Sequence, residues 1–270
     1  MLLVRRPKTP ARFNRAARDA RALVRGIIDK KGRPKSEQFI DKWGPYKHVL
    51  AEAQHHRCGY CDRKVLGGDD GTVDHFRPKA EIEALLDDPT TWGTQKLHSA
   101  SVRERATQLV HELGYHWLAY AWRNYVFACS SCNEKWKRAL FPVATHPRCC
   151  PPRARGHEEP LLLCCYSTLR PSDHIQFNPD GTVEPLNGSR YGYETIRTVG
   201  LYREPLCDER KDVAEDVFYA LDQLAEGDEA TAISSLKRLG NEDRAFAGVA
   251  RAIVEQNVGM PWEEFLVLYP

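Results

Sequence analysis

The sequence lacks any uninterrupted apolar run of about 18 residues, the length a membrane-spanning helix needs. No apolar segment follows Arg5 and Arg6, as a secretory signal would require. No internal repeat is visible, and 42% apolar with 28% charged residues argues against a disordered chain, a fibrous repeat or a coiled coil. These absences predict a soluble, cytoplasmic protein. Its 270 residues suffice for one or two domains with a sizeable interior. Nine cysteines in a chain without an export signal are then expected as reduced thiols or metal ligands.

Net charge is almost missing as well, at +2, but it is unevenly spread. Residues 1–35 carry twelve Lys and Arg against two acids, residues 36–206 twenty-one of each, and residues 207–270 six against fourteen. A basic leading arm attracts phosphate-rich partners, and an acidic trailing segment suits protein contacts or pairing with the arm; two solvated helix faces would carry the same charges.

Periodicity predicts an amphipathic helix over 9–29, with Thr9 as N-cap and Pro10 at the first helical position. A second helix starts near Pro45 and runs to about His56, delivering the chain into Cys58-Gly59-Tyr60-Cys61. The Gly-Asp-rich run 67–71 is a turn, followed by a short strand from Thr72 to Phe76. Ser101 to Leu113 has helical spacing, and the aromatic-dense stretch Tyr115 to Phe127 is assigned to the core. Residues 142–160 form a connector; two or three helices follow over about 193–255.

Two C-x2-C pairs, Cys58 with Cys61 and Cys129 with Cys132, stand out, because chance would supply roughly 0.3 such pairs. Two knuckles complete the four-thiolate shell of a structural zinc ion and leave no open coordination position. They would clamp together segments separated by 67 residues. Vicinal Cys149-Cys150 and Cys164-Cys165 are poor chelators and are assigned as ordinary thiols, and His55 and His56 as surface residues at a helix end. Inside the clamped interval Asp74-His75 offers a hard oxygen ligand beside a base that titrates near neutrality. Asn124 precedes Cys129 by five residues, and Asn133 follows Cys132 directly.

This pattern resembles the HNH nuclease superfamily. The wording "CGYC", "VDHFRPKA", "YHWLAYAWRNYVFACSSCNEKWK", "EEPLLL" and "TIRTVGLYREPLCDER" resembles the HNH nucleases of Septu-type and retron-associated antiphage systems, over roughly residues 40–210. The resemblance implies an α+β, mostly helical fold: a small ββα-metal core stapled by the four-cysteine zinc site, with a helical insertion and helical termini. It implies His75 as general base, Asp74 and Asn133 as ligands of a catalytic Mg2+ or Mn2+, and Asn124 as the residue that holds the loop and orients His75. Arg77, Lys79, Lys135 and Lys137 would hold backbone phosphates. Three features depart from the pattern: Asn133 stands where many members carry His, 48 residues separate His75 from Asn124, and Trp136 occupies a position that is often Lys.

The expected organisation is a basic arm over 1–40, a nuclease core over 41–145 with a helical insertion at 80–122, and a partly helical, acidic extension over 146–270. The expected activity is single-metal phosphodiester hydrolysis of DNA, or of RNA, in a defence complex. The resemblance implies an ABC or SMC-like ATPase as partner, with retron RNA or msDNA as a further one, and no membrane. A non-catalytic zinc-stapled module that binds nucleic acid or protein is the rival reading of the same residues.

Overall fold

Strand β1 (Gly71–His75) and strand β4 (Tyr125–Cys129) pair antiparallel, with Gly71 opposite Cys129 and His75 opposite Tyr125. All five residues of β4 are buried, as expected for an apolar strand covered on both faces. The chain leaves β4 into a π-helical turn, Ser131–Lys137, so β4 and this turn follow one another around the second knuckle. This is a computed structural model, and it describes residues 1–30, 32–65, 71–86, 105–144 and 158–270.

Helix α1 spans Ala11–Asp29 and buries only Phe13, Ala17, Ala20 and Val24, a single stripe at helical spacing. It begins one residue later than its sequence signals suggest: Pro10 is the N-cap, in extended conformation, and Thr9 plays no capping part. Phe13 packs edge-on against Tyr46 and Tyr125, which seats α1 on β4. Helix α2 (Lys47–Ala53) then leads through a turn, with His55 and His56 at positive φ, into the first knuckle.

The helical insertion expected over 80–122 is overturned in its described part. Strand β2 (Ile82–Leu85) pairs antiparallel with β3 (Thr107–His111), and short 3-10 turns follow at His116–Leu118 and Trp122–Asn124. Leu109, Val110 and Leu113 fit helical spacing equally well, but cross-strand pairing with β2 satisfies the backbone of 107–111 and decides the outcome. The front of the expected helix, 101–104, and most of the connector at 142–160 lie outside the described residues, as do Cys149 and Cys150. The aromatic run is core: Tyr115, Tyr120, Trp122, Tyr125 and Phe127 are all buried.

A third small sheet, β5 (Ile175–Phe177) with β6 (Val183–Pro185), precedes five helices: α3 (Arg190–Val199), α4 (Glu204–Glu226), α5 (Glu229–Leu239), α6 (Ala247–Val258) and α7 (Trp262–Leu268). One buried cluster runs from Met1 through the strand pair to Phe265, so arm, centre and tail share an interior. Gly200 ends α3 at φ 63° with the Trp136 ring against its Cα, a position with no room for a side chain. No helix among the described residues is long and apolar enough to cross a membrane.

Candidate metal centre and adjoining cleft

The four knuckle cysteines are buried, and their sulfur atoms all lie within 4.8 Å of one another. A tetrahedral zinc–thiolate shell with bonds near 2.3 Å has S–S edges of about 3.8 Å, and Cys61 Sγ stands 3.8 Å from Cys129 Sγ. The donor set and its closeness fit one metal ion such as zinc. It is the only group of three or more Cys, His, Asp or Glu with metal-ligand geometry among the described residues.

Local structure explains why the sulfurs converge. Buried Gln54 donates from Nε2 to the Phe127 and Arg57 carbonyls and accepts the Phe127 N–H, tying the end of α2 to β4. Gly59 N–H donates to the same Phe127 carbonyl, and a Cβ at Gly59 would collide with Val126 and Cys165, so only glycine permits this approach. Cys164 and Cys165 are buried free thiols outside the four-sulfur group. Arg203, at the start of α4, donates to Cys132 Sγ at 3.4 Å. Burial alone would lower its pKa, but the sulfurs of Cys132, Cys61 and Cys129 override it and the guanidinium is held more firmly charged. Hydrogen bonds from Cys132, Cys58 and Cys61 draw the Cys129 thiol far below its ordinary range. Burial pushes the Cys58 and Cys132 thiols up, and a fixed cation beside the cluster works against that, toward the thiolate a metal binds.

The cleft lies beyond β1, with a volume of about 280 Å³, bordered by Asp74, His75, Lys79, Asn133, Trp43 and Arg138 among others. His75 is buried, with Nε2 2.9 Å from the Ala119 carbonyl and its ring edge-on to Trp43 at 4.4 Å. A carbonyl can only accept, so Nε2 carries the proton and Nδ1 keeps its lone pair. Burial, and then the charge of Lys79, holds the imidazole pKa well below 6.5, so the ring is neutral at neutral pH.

Asp74 is the most heavily engaged group in the cleft. Tyr60, from inside the first knuckle, donates its phenol to one carboxylate oxygen, and Lys137 stands 3.0 and 3.1 Å from the two oxygens. Lys137 also donates to the His75 carbonyl at 2.9 Å and is wholly buried. Asn124 donates to the Arg77 carbonyl at 3.0 Å and accepts the Arg77 N–H at 2.9 Å, while its own carbonyl accepts from Phe76 N–H. It therefore clasps the loop that leaves His75. Asn133 donates from Nδ2 to Thr72 Oγ1 at 2.9 Å, which presents its Oδ1 on the other side of the amide.

The four basic residues assigned to phosphates separate into two groups. Lys79 borders the cleft with its ammonium 5.0 Å from the Trp43 ring, and Lys135 is exposed. Lys137 and Arg77 are corrections. Lys137 is spent on Asp74, and Arg77 pairs with Glu158 while packed against the Tyr115 and Phe141 rings. A buried charge needs an internal counter-charge, and wholly buried Lys137 has one; Arg77 is half-buried and has its own counter-charge in Glu158. The π turn explains the displaced lysine: π turns are wider than α turns, so Trp136 rotates onto Leu140 while Lys137 turns in toward Asp74.

Tyr60, Gln54, Trp43 and Arg203 were missed in the sequence. Tyr60 offered one signal, its place between two metal-ligand cysteines, and Arg203 another, its place in the string TIRTVGLYREPLCDER, whereas nothing in the sequence marked Gln54 or Trp43. His55 pairs with Asp243 of the tail at 3.0 Å.

No family model matches the chain. Over 195 residues it is 31% identical to the Septu protein PtuB of Bacillus mycoides (strain KBAB4), a match that takes in 72% of this chain and 57% of that protein. The chain thus spans a little over half the length of this relative. The similarity relates it to Septu-type proteins.

Proposed function

We propose that the chain is a metal-dependent HNH endonuclease that hydrolyses phosphodiester bonds, and the effector subunit of an antiphage defence complex of the Septu type. The observation that carries this reading is His75: a buried, neutral imidazole with Nε2 pinned to Ala119 and Nδ1 free, bordering one cleft with Asp74 and Asn133. A base for water needs an unprotonated nitrogen at neutral pH in a fixed orientation, and this histidine has both.

Asp74 and Asn133 would hold a hard divalent ion, Mg2+ or Mn2+, through their side-chain oxygens. When bound, such an ion stabilises charge developing on the phosphate and the leaving oxygen. Nδ1 of His75 takes the proton of the attacking water, Ala119 and Trp43 hold the ring, and Asn124 holds the loop. Lys79 faces the cleft, placed to meet a phosphate oxygen. Zinc at the four cysteines is structural, because four protein sulfurs fill its shell. DNA is the substrate put forward, with RNA as its rival, and the partner is an ATPase of the ABC or SMC-like type, joined in some systems by retron RNA or msDNA.

The test replaces His75 by Ala in the chain assembled with its partner. Mg2+-dependent cleavage of plasmid DNA should fall by about 10²–10⁴, with zinc content and melting behaviour unchanged. Cleavage at the original rate defeats the proposal and returns the chain to a zinc-stapled binding module.

A further inference from the structure

Helix α1 presents a line of four arginines, of which the fold ties down only Arg21. Its buried stripe is narrow, and Arg15, Arg18, Arg21 and Arg25 lie exposed to one side of it. Among the described residues, Arg15, Arg18 and Arg25 meet no carboxylate in an ion pair. Arg21 does have a partner: its Nη2 donates to the Tyr120 carbonyl at 2.6 Å. Four like charges on one side of a helix repel one another, so without an anionic partner the arrangement opposes folding.

Arg21 ties this line to the neighbourhood of the cleft. Tyr120, which Arg21 holds, has its ring 5.9 Å from Trp43, and Trp43 is the ring that packs on His75. Arg21 therefore reaches the backbone of a residue whose ring is one aromatic neighbour away from the ring packed on the base. Along the helix, Arg15 to Arg25 spans about 15 Å, equivalent to about four nucleotide steps of one strand at 3.4 Å each. The outward face has little that would hold a protein, for Leu23 is its one exposed large apolar side chain. A helix docked in a protein groove would instead show an apolar stripe at i, i+3, i+4 and i+7.

We propose that Arg15, Arg18, Arg21 and Arg25 of α1 form a contact surface for the phosphate backbone of nucleic acid, continuing the path of the strand beyond the His75 cleft. The proposal rests on the nuclease reading for its direction, but its binding chemistry stands apart from catalysis. Guanidinium groups meet phosphates in bidentate fashion and read no base, so the contact is independent of sequence.

The experiment measures binding of a short fluorescein-labelled DNA duplex, and of the RNA duplex of the same sequence, by fluorescence anisotropy across a salt series. The protein is the full chain carrying His75→Ala, so no cleavage intervenes. Arg15→Gln, Arg18→Gln and Arg25→Gln are combined, with Arg21 kept to leave its bond to Tyr120 intact. The triple variant should bind at least tenfold more weakly at moderate salt, equally for unrelated sequences. The slope of log K against log salt should shrink by about 3. Lysine at the same three positions should restore the slope, which a misfolded variant would not do. Unchanged affinity and slope overturn the proposal, as does unchanged nucleic-acid binding with lost co-purification of a protein partner. A chain that binds through α1 yet, with His75 intact, never cleaves in its complex would sink the nuclease reading and leave this surface standing.

Discussion

The four-sulfur centre and the cleft beside it both adjoin the β1–β4 pair but are built differently. The sulfur centre is symmetric: four identical donors, two from each knuckle, all buried and within 4.8 Å. The cleft is asymmetric, with Asp74, His75 and Asn133 each held by a different partner and Asn124 clasping the loop behind them. The difference lies in where positional accuracy comes from. A metal ion pulls four like ligands into place by its own coordination preference. A carboxylate and an imidazole have no such organiser, so neighbouring side chains position them. Tyr60 joins the two regions, since it is anchored between Cys58 and Cys61 and donates to Asp74.

The comparison breaks most severely at the sulfurs. In small zinc domains, metal binding contributes about 10–16 kcal/mol to folding, so Cys132→Ala should release zinc and abolish a cooperative melt, measured by metal content and calorimetry. Cooperative melting with zinc absent would show that the staple is dispensable. Lys137→Met should come next, because it strands the buried Asp74 carboxylate: a loss of about 3–5 kcal/mol in denaturant melts, with zinc retained. A neutral result would mean that water reaches Asp74.

Tyr60→Phe removes one hydrogen bond to a buried charge and should cost about 1–3 kcal/mol, with zinc content unchanged and cleavage reduced. If neither stability nor cleavage moves, the two regions are independent. The smallest effect concerns pH. Burial depresses the His75 pKa in the folded chain below 6.5, so the unfolded chain takes up the proton first as pH falls. This group's contribution to stability is therefore complete above about pH 6.5 and is lost below it, toward the folded-state value. Melting temperature should drop on acidification less steeply in His75→Gln than in the parent chain, and equal slopes would refute the assignment.

How far each region can be read in the sequence follows from the same contrast. Two C-x2-C pairs announce the sulfur centre, because a knuckle is a local device with fixed spacing. Asp74, His75, Asn124 and Asn133 could be named because they stand at short, fixed spacings around the second knuckle in a pattern that resembles the HNH superfamily. Their partners could not, because Ala119 reaches His75 across 44 residues and Lys137 reaches Asp74 across 63. The region between β1 and β4 misled for a related reason. Apolar spacing over 107–113 fits helix and strand alike, and only the pairing partner β2 discriminates.

The basic arm and acidic tail extend the contrast. Charge segregation is plain in composition, yet the buried interior joins both ends of the chain to the centre, and Arg6 donates to the Tyr125 carbonyl. An arm that composition portrays as an appendage is partly a wall of the core. Its outer basic side chains remain for a partner.

Local chemistry, then, could be determined from the sequence by itself: which cysteines form knuckles, which histidine follows which aspartate, which helix is basic, where the aromatic core lies. Tertiary structure alone decided which nitrogen of His75 is free, that Lys137 and Arg77 are turned inward, and that 80–122 does not simply continue as helix. Motifs depend on residues a few positions apart, where covalent geometry limits the possibilities. Protonation, ion pairing and strand choice depend on groups tens of residues away, which come together only when the chain buries its apolar surface.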